Sequence, residues 1–202
     1  GPTHHGIFDI SMLNSLPGIV ISAPKDGNEM TDLLLTGVNS GLPFSIRYPK
    51  ENCTVFDEDR SPEPIDIGKW EILQEGTNIA ILSVGSMVKK SQKALMKLEE
   101  HFAHKITLIN ARFIKPLDVD LLMSVDKNHR YIFTFEEGAE IGGFGSEVLR
   151  FYTAHNSNSK VTIQGIKDNF IDHGTRDELL KITELDEAGI IKNIKRVADG
   201  LK

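Results

Sequence analysis

The stretch YIFTFEEGAEIGGFGS, Tyr131–Ser146, decides the fold class because it joins a predicted strand to a predicted helix through glycines. Its first half is a run of aromatic and β-branched residues, which is typical of a buried strand. Its second half consists mainly of small residues, and a helix should begin at Glu147. A strand, a tight loop and a helix in this order form the repeating unit of an α/β fold.

Four further strands are predicted around this one, so that residues 67–202 read as a complete α/β domain. The five strand candidates are Trp70 to Gln74, Ile79 to Val84, Ile106 to Asn110, Tyr131 to Phe135 and Val161 to Ile166. The first two are joined by only Glu75–Asn78, too short for a crossover, so we expect an antiparallel hairpin at a sheet edge. The others are separated by helical patterns, which predicts a mostly parallel five-stranded sheet with helices on both faces.

Three helices are predicted from capping residues at their N-termini or from a stripe of apolar side chains. The helix after Gly85 has Ser86 as a candidate N-cap and an apolar stripe that extends to Phe102. Thr175 and Glu178 have the spacing of a capping box. The last helix follows Asp186 and repeats the apolar stripe.

The first 50 residues contain a single strand–helix–strand crossover, from Gly18 to Arg47. One crossover is too small to enclose a core. We therefore expect residues 1–50 to be half of a domain that packs against a second chain or against residues of a longer protein. Residues 51–66 are rich in acidic residues and proline, which predicts a linker laid along a surface.

Composition excludes several functional classes. The formal net charge is −6, from 29 acidic and 23 basic residues, so we expect no binding to nucleic acid or to an anionic membrane. Cys53 is the only cysteine, which excludes an intrachain disulfide and a cysteine-rich metal site, and a reducing cytoplasm fits. Apolar runs such as Ile79 to Val84 are far shorter than the roughly 20 residues that span a membrane.

Two short motifs contain candidate catalytic or ligand-binding residues. His4 and His5 lie between small residues near the start of the chain, where adjacent histidines are more often simply exposed. Arg47 follows a predicted parallel strand, and α/β sheets gather ligand groups at the carboxyl ends of such strands. Its guanidinium suits a phosphate or a carboxylate. A structural ion pair is the alternative reading of this arginine.

Three other features are ambiguous. The loop Gly142–Gly145 lacks the spacing of a dinucleotide-binding loop, and close helix packing is favoured over a phosphate cradle. His173 lies in a polar loop, where a hydrogen bond to backbone is favoured over catalysis. Glu136 and Glu137 are adjacent carboxylates, yet the sequence shows no partner groups for acid–base work.

Taken in order, these motifs resemble the last third of the 1-deoxy-D-xylulose-5-phosphate synthase family, thiamine-diphosphate enzymes of the transketolase superfamily. The motifs are Gly1-Pro-Thr-His-His-Gly6, Phe8-Asp9, Ala23-Pro24 with Asn28-Glu29, Arg47-Tyr-Pro49, Arg112–Asp118, Gly142–Ser146 and Phe170–Gly174. They extend over essentially the whole chain.

The resemblance implies a division into residues 1–50, the C-terminal half of a pyrimidine-binding domain, a linker at 51–66, and a transketolase C-terminal domain at 67–202. It implies a transferase that condenses pyruvate with D-glyceraldehyde 3-phosphate, releases CO₂ and supplies isoprenoid, thiamine and pyridoxal biosynthesis. His4 matches the family's active-site histidine, and Arg47 matches an arginine that holds the phosphate of the acceptor. A homodimer, in the bacterial cytoplasm or in a plastid, is also implied.

Two departures from the family limit what this chain can do. The residues that hold thiamine diphosphate and Mg²⁺ in the family have no counterpart in this sequence, so we expect no cofactor site, no metal site and no activity from these 202 residues alone. Arg47-Tyr-Pro49 is followed by Lys50-Glu51 in place of the commoner basic-glycine pair. The alternatives are a transketolase-like protein, a 2-oxoacid dehydrogenase β-subunit-like protein and a non-catalytic dimerisation module.

Overall fold

The chain folds into alternating strands and helices arranged around two sheets. The computed structural model describes residues 2, 4–53 and 55–199. The helices are α1 Asp9–Asn14, α2 Gly27–Ser40, α3 Met87–Met96, α4 Glu100–Ala103, α5 Val119–Asn128, α6 Phe144–Ala154, α7 Arg176–Ile182 and α8 Glu187–Asp199. The strands are β1 Val20–Ser22, β2 Phe44–Ile46, β3 Glu71–Gln74, β4 Asn78–Ser83, β5 Ile106–Asn110, β6 Phe113–Lys115, β7 His129–Ala139 and β8 Lys160–Ile166.

The larger sheet has the strand order β3-β5-β4-β7-β8. Strands β5, β4, β7 and β8 pair in parallel, and only β3 is antiparallel. Side chains of β4 alternate between two apolar cores: Ala80 and Leu82 face α5 and α6, whereas Ile79 and Ile81 face α3, α7 and α8. The predicted mostly parallel sheet with helices on both faces is confirmed.

The predicted hairpin of β3 with β4 is wrong. Strand β3 lies at the edge and is antiparallel, as expected, but it pairs with β5. The reason is that β4 is apolar on both faces and both its edges are taken by parallel partners. The connection after β3 crosses the start of β5 at Gly76, where a Cβ atom would lie 2.5 Å from the backbone of Ile106.

The smaller sheet combines the first 50 residues with the rest of the chain, in the order β2-β1-β6. Strands β1 and β2 are parallel, as the crossover predicts, and β6 adds an antiparallel strand that the sequence analysis missed. Ile21 is therefore 1% exposed, and Phe44 packs edge-on against Phe113 at 6.4 Å between ring centroids. The expectation that this crossover needs a second chain is wrong for these side chains, because residues 113–115 of the same chain cover them.

Several apolar side chains of the first 50 residues are exposed. Leu34 and Val38, one turn apart on α2, are 53% and 74% exposed, and Met12 on α1 is 71% exposed. Leu34 and Val38 thus form a short exposed apolar strip on α2.

The segment between β2 and β3 contains no helix or strand among its described residues, and it lies along α2. Both terminal nitrogens of Arg60 donate to the carboxylate of Asp32, at 2.8 and 2.7 Å. The backbone N–H of Ile65 donates to the hydroxyl of Thr36 at 2.8 Å. Cys53 is exposed.

The predicted start of one helix is confirmed, and the predicted N-cap of another is wrong. The capping box of Thr175 and Glu178 begins α7, as predicted. Ser86 precedes α3 but caps nothing, because its hydroxyl donates to Glu137 instead. The apolar stripe that extends to Phe102 is divided between two helices, α3 and α4. Among the described helices, none is long and apolar enough to cross a membrane.

Candidate functional site

Arg47 lies directly after β2, and its backbone N–H donates to Ser22 at 2.8 Å. Its Nε atom donates to both carboxylate oxygens of Asp9, at 3.0 and 2.9 Å. Its Nη2 atom donates to the backbone carbonyls of Gly6, at 3.2 Å, and of Glu137. With 18% of the side chain exposed, the guanidinium is held at the surface of the site by two separate chain segments, residues 6–9 and the segment of Glu137.

The third guanidinium nitrogen of Arg47, Nη1, has no hydrogen-bond acceptor among the described residues. His4 belongs to the segment that Arg47 holds through Gly6, two positions later, and His4 is exposed. The structure therefore brings the segments of both predicted site residues together, with Nη1 as the donor available to an anion.

Glu137 connects the site to the C-terminal half of the chain. Its carboxylate accepts a hydrogen bond from the hydroxyl of Ser86 at 2.7 Å and is paired with the guanidinium of Arg176. Arg176 is also paired with Glu51. The site is thus lined by the ends of β2 and β7 and by the start of α7, at the edge where parallel strands of α/β sheets present their ligand groups.

The glycine loop before α6 is already filled by a carboxylate. The side chain of Glu136 accepts hydrogen bonds from the backbone N–H groups of Phe144, at 2.9 Å, and Gly145, at 2.8 Å. A Cβ atom on Gly143 would meet Glu136 Oε2 at 2.6 Å, and one on Gly145 would meet Ile163 at 2.5 Å. Close packing is therefore the role of these glycines, and the loop is not a phosphate cradle.

Glu136 is completely buried. Burial raises the pKa of its carboxyl to about 7, and this effect exceeds the opposing influence of the N–H groups of Gly145 and Phe144 and of the charge of Arg47. Glu136 and Glu137 are adjacent on β7, so their side chains point to opposite faces of the sheet. They do not form a pair of carboxylates for acid–base catalysis.

The loop before α7 contributes an aromatic contact with the start of the chain. His173 is exposed. The ring of Phe170 stands edge-on to that of Phe8, with 5.8 Å between centroids, although Phe170 is itself 68% exposed. The loop therefore packs against the start of the chain through Phe170.

A buried ionic cluster joins the first 50 residues to the larger sheet. Glu29, 3% exposed, accepts hydrogen bonds from the Asn110 amide at 2.7 Å and from the Arg112 guanidinium at 3.3 Å. Lys25 donates to Glu71 at 2.6 Å. Burial raises the pKa of the Glu29 carboxyl, although the charge of Lys25 opposes this effect. These contacts hold β1 and α2 in register with the C-terminal part of the chain.

The glycine loop at the start of α6 does not fit the diphosphate of thiamine diphosphate. The donors at the start of α6 are taken by Glu136, so a diphosphate cannot use them. In the part of the chain that the structure describes, no three histidine, cysteine or acidic side chains form a group that could hold a metal ion.

Three contributors to the site were not predicted as such. Asp9 was noted only as part of a motif, and Glu137 acts on Arg47 through its backbone oxygen, which no side-chain pattern can reveal. Arg176 lies at the first position of a helix whose capping box was recognised. The acidic Glu51 after Arg47-Tyr-Pro49 was a weak signal, since a carboxylate beside a site can pair with a basic side chain.

Two family models match separate parts of the chain. The family model for the transketolase C-terminal domain matches residues 68–190, and the model for the transketolase pyrimidine-binding domain matches residues 1–55.

Curated relatives match along the whole chain. A 1-deoxy-D-xylulose-5-phosphate synthase from Aquifex aeolicus is 38% identical over 200 residues, which are 99% of this chain and 32% of the relative. The enzyme of that name from Shouchella clausii is 42% identical over 203 residues, 100% of this chain and 31% of the relative. The chain thus spans about a third of the length of the curated relatives it matches.

Solved structures agree on the fold. A split-gene transketolase, described as an inactive beta4 tetramer, has a TM-score of 0.86 and 23% identity over 97% of this chain and 63% of its own. A transketolase variant from Pichia stipitis has a TM-score of 0.70 and 19% identity over 97% of this chain and 27% of its own. The resemblance drawn from the motifs is confirmed: the chain belongs to the transketolase family and is similar along its length to 1-deoxy-D-xylulose-5-phosphate synthases.

Proposed function

We propose that this chain is the C-terminal portion of a transferase that condenses pyruvate with D-glyceraldehyde 3-phosphate to give 1-deoxy-D-xylulose 5-phosphate and CO₂. In this proposal residues 1–50 complete a pyrimidine-binding domain, residues 51–66 are a linker and residues 67–202 are the C-terminal domain. Thiamine diphosphate, with Mg²⁺, supplies the chemistry that joins the two substrates when it is bound. Its binding residues, and those for Mg²⁺, belong to the part of the enzyme outside this sequence.

The proposal rests on the hydrogen bonds of the Arg47 guanidinium. Its Nε and Nη2 atoms are held by Asp9 and by two backbone carbonyls, and Nη1 has no acceptor among the described residues. An arginine fixed on two sides presents its remaining donor in one direction, which suits a phosphate monoester. We infer that Nη1 binds the phosphate of the acceptor.

His4 has a separate role in this proposal. Its imidazole ring can donate a hydrogen bond or a proton to the oxygen that gains charge as the new carbon–carbon bond forms. The exposed position of His4, in the segment held by Arg47, supports this role.

The complete enzyme would contain further chain segments and a second subunit. The exposed apolar side chains Met12, Leu34 and Val38 support such additional contacts, since they face solvent in the present chain. We propose a homodimer in a bacterial cytoplasm or in a plastid.

Steady-state kinetics on the complete enzyme test the two residues separately. Arg47→Lys should raise the apparent KM for D-glyceraldehyde 3-phosphate about tenfold or more, because one ammonium group cannot replace the fixed fork. The KM for pyruvate should change much less. His4→Ala should lower kcat by about 10² to 10⁴ while the affinity for the cofactor stays nearly constant.

Arg150→Lys is a matched control, because Arg150 forms an exposed pair with Glu147 away from the site. It should leave all three parameters unchanged. An Arg47→Lys enzyme with equal changes in both KM values would show that Arg47 is structural, and normal turnover by His4→Ala would remove His4 from the reaction.

A further inference from the structure

Two arginines from distant parts of the chain bind the same residue, Glu137. Arg47 donates through Nη2 to the backbone oxygen of Glu137. Arg176 is paired with the carboxylate of Glu137, through Nε at 3.3 Å and through Nη2. The hydroxyl of Ser86 donates to the same carboxylate at 2.7 Å and so fixes its orientation. Arg176 and Ser86 therefore hold the carboxylate of Glu137, and Arg47 binds the backbone oxygen of the same residue.

Arg176 has a second link to the same segment. Its Nη1 atom is paired with Glu51, four positions after Arg47. Residues 47–51 are thus attached to the β7 end at one point, Arg47, and to α7 at another, Glu51. Lys50-Glu51 replaces a basic-glycine pair of the family, and the structure gives this acidic residue a specific partner.

The burial of the three side chains indicates which link is stronger. The exposed fractions are 23% for Arg176, 16% for Glu137 and 46% for Glu51. Burial by itself would lower the pKa of Arg176, but Glu137 and Glu51 raise it, so the guanidinium stays charged. All three of its nitrogens are used, in a planar arrangement that lysine cannot reproduce. The half-buried pair with Glu137 should dominate, and the more exposed pair with Glu51 should add less.

We propose that Arg176 is a positioning residue for Arg47, acting through Glu137 and Glu51 to keep Nη1 of Arg47 directed at a phosphate monoester. The orientation of Arg47 follows from contacts within the chain. The phosphate as the ligand of Nη1 rests on the proposed function above.

The test of positioning uses the 202-residue chain and no ligand. Nuclear magnetic resonance of ¹⁵N-labelled arginine side chains reports the solvent exchange of the Arg47 Nε–H group, which donates to Asp9. Arg176→Gln should increase this exchange rate about three- to tenfold, and Arg176→Lys should restore it only in part. Arg150→Gln removes an equal charge from an exposed pair and should leave the rate unchanged.

A second variant keeps the proposal testable if Arg176→Gln does not fold. Glu51→Gln removes the weaker link and leaves the pair of Arg176 with Glu137 in place, so it should give a smaller increase in the same rate. Backbone amide exchange in α7 serves as the reference for a general increase in backbone opening. Unchanged Arg47 Nε–H exchange in folded Arg176→Gln, or an increase matched by all of α7, would overturn the proposal.

Titration with inorganic phosphate separates this inference from the proposed function. In the wild type, phosphate should shift the Arg47 side-chain resonance, and Arg176→Gln should weaken the apparent affinity about threefold or more. If phosphate leaves Arg47 unaffected in the wild type, the phosphate role fails. The exchange rates would still decide whether Arg176 positions Arg47.

Discussion

Replacing Glu136 with glutamine should remove a pH dependence of stability that originates inside the protein. The side chain is fully buried between β7 and the start of α6, where it accepts two backbone hydrogen bonds. Glutamine has almost the same size and stays neutral at every pH. Its amide oxygen can accept from only one of the two N–H groups, which donate to different carboxylate oxygens in the wild type, so the substitution also has a cost that does not vary with pH and leaves the pH dependence interpretable. The variant therefore isolates the charge of one carboxyl.

The magnitude follows from the pKa. Burial raises the pKa of Glu136 from an ordinary 4.5 to about 7. This difference corresponds to about 3 kcal/mol. Between these values the unfolded carboxyl has lost its proton while the folded one retains it. The folded state then binds more protons, so its stability falls as pH rises.

The assay is urea unfolding of both proteins at a series of pH values from about 5 to about 8. The free energy of unfolding of the wild type, relative to that of Glu136→Gln, should fall by about 3 kcal/mol over this range. The raised pKa of Glu29 acts in the same direction in both proteins, so it cancels from the difference.

Glu147→Gln provides the control, because it removes a carboxyl from the partly exposed first turn of the same helix. Its stability should follow the pH curve of the wild type. A difference between wild type and Glu136→Gln that stays constant from about pH 5 to about pH 8 would refute the reasoning. It would mean that the two N–H groups and Arg47 keep the buried carboxylate ionised throughout.

Two further predictions concern the core and the cofactor. Phe113→Ala should destabilise the chain by about 3 to 5 kcal/mol in urea unfolding, because Phe113 is fully buried where β6 joins the first 50 residues; Phe170→Ala, at a ring that is 68% exposed, should cost much less. Isothermal titration of the 202-residue chain with thiamine diphosphate and Mg²⁺ should give no measurable heat of binding, since the residues that hold the diphosphate and Mg²⁺ in the family have no counterpart in this sequence; micromolar binding would contradict this.

Local patterns predicted the elements well, because each depends on neighbouring residues. The alternation and apolarity of Ile79 to Val84 and of Ile106 to Asn110 identified two central strands. The spacing of Thr175 and Glu178 identified a helix start. Strand β6 was missed because it has only three residues and its apolar side chains have no periodicity of their own.

The candidate site was predictable only in part. Arg47 and His4 were singled out by residue type, by position after a strand and by the resemblance to a family. The neighbours of Arg47 were not, since Asp9 is 38 positions away and Glu137 is 90 positions away. An arginine that is free to bind phosphate and one that is held by a carboxylate have the same local sequence.

The sequence by itself determined the α/β class, the order of most elements and the family, because periodicity, turn residues and motifs are written in consecutive residues. Only the tertiary structure decided that β3 pairs with β5, that β6 completes the sheet of the first 50 residues, and that Glu136 fills the glycine loop. These outcomes depend on which buried edges and polar groups meet across the fold. Each is selected by the requirement that buried hydrogen-bonding groups find partners, and that requirement acts between residues far apart in the chain.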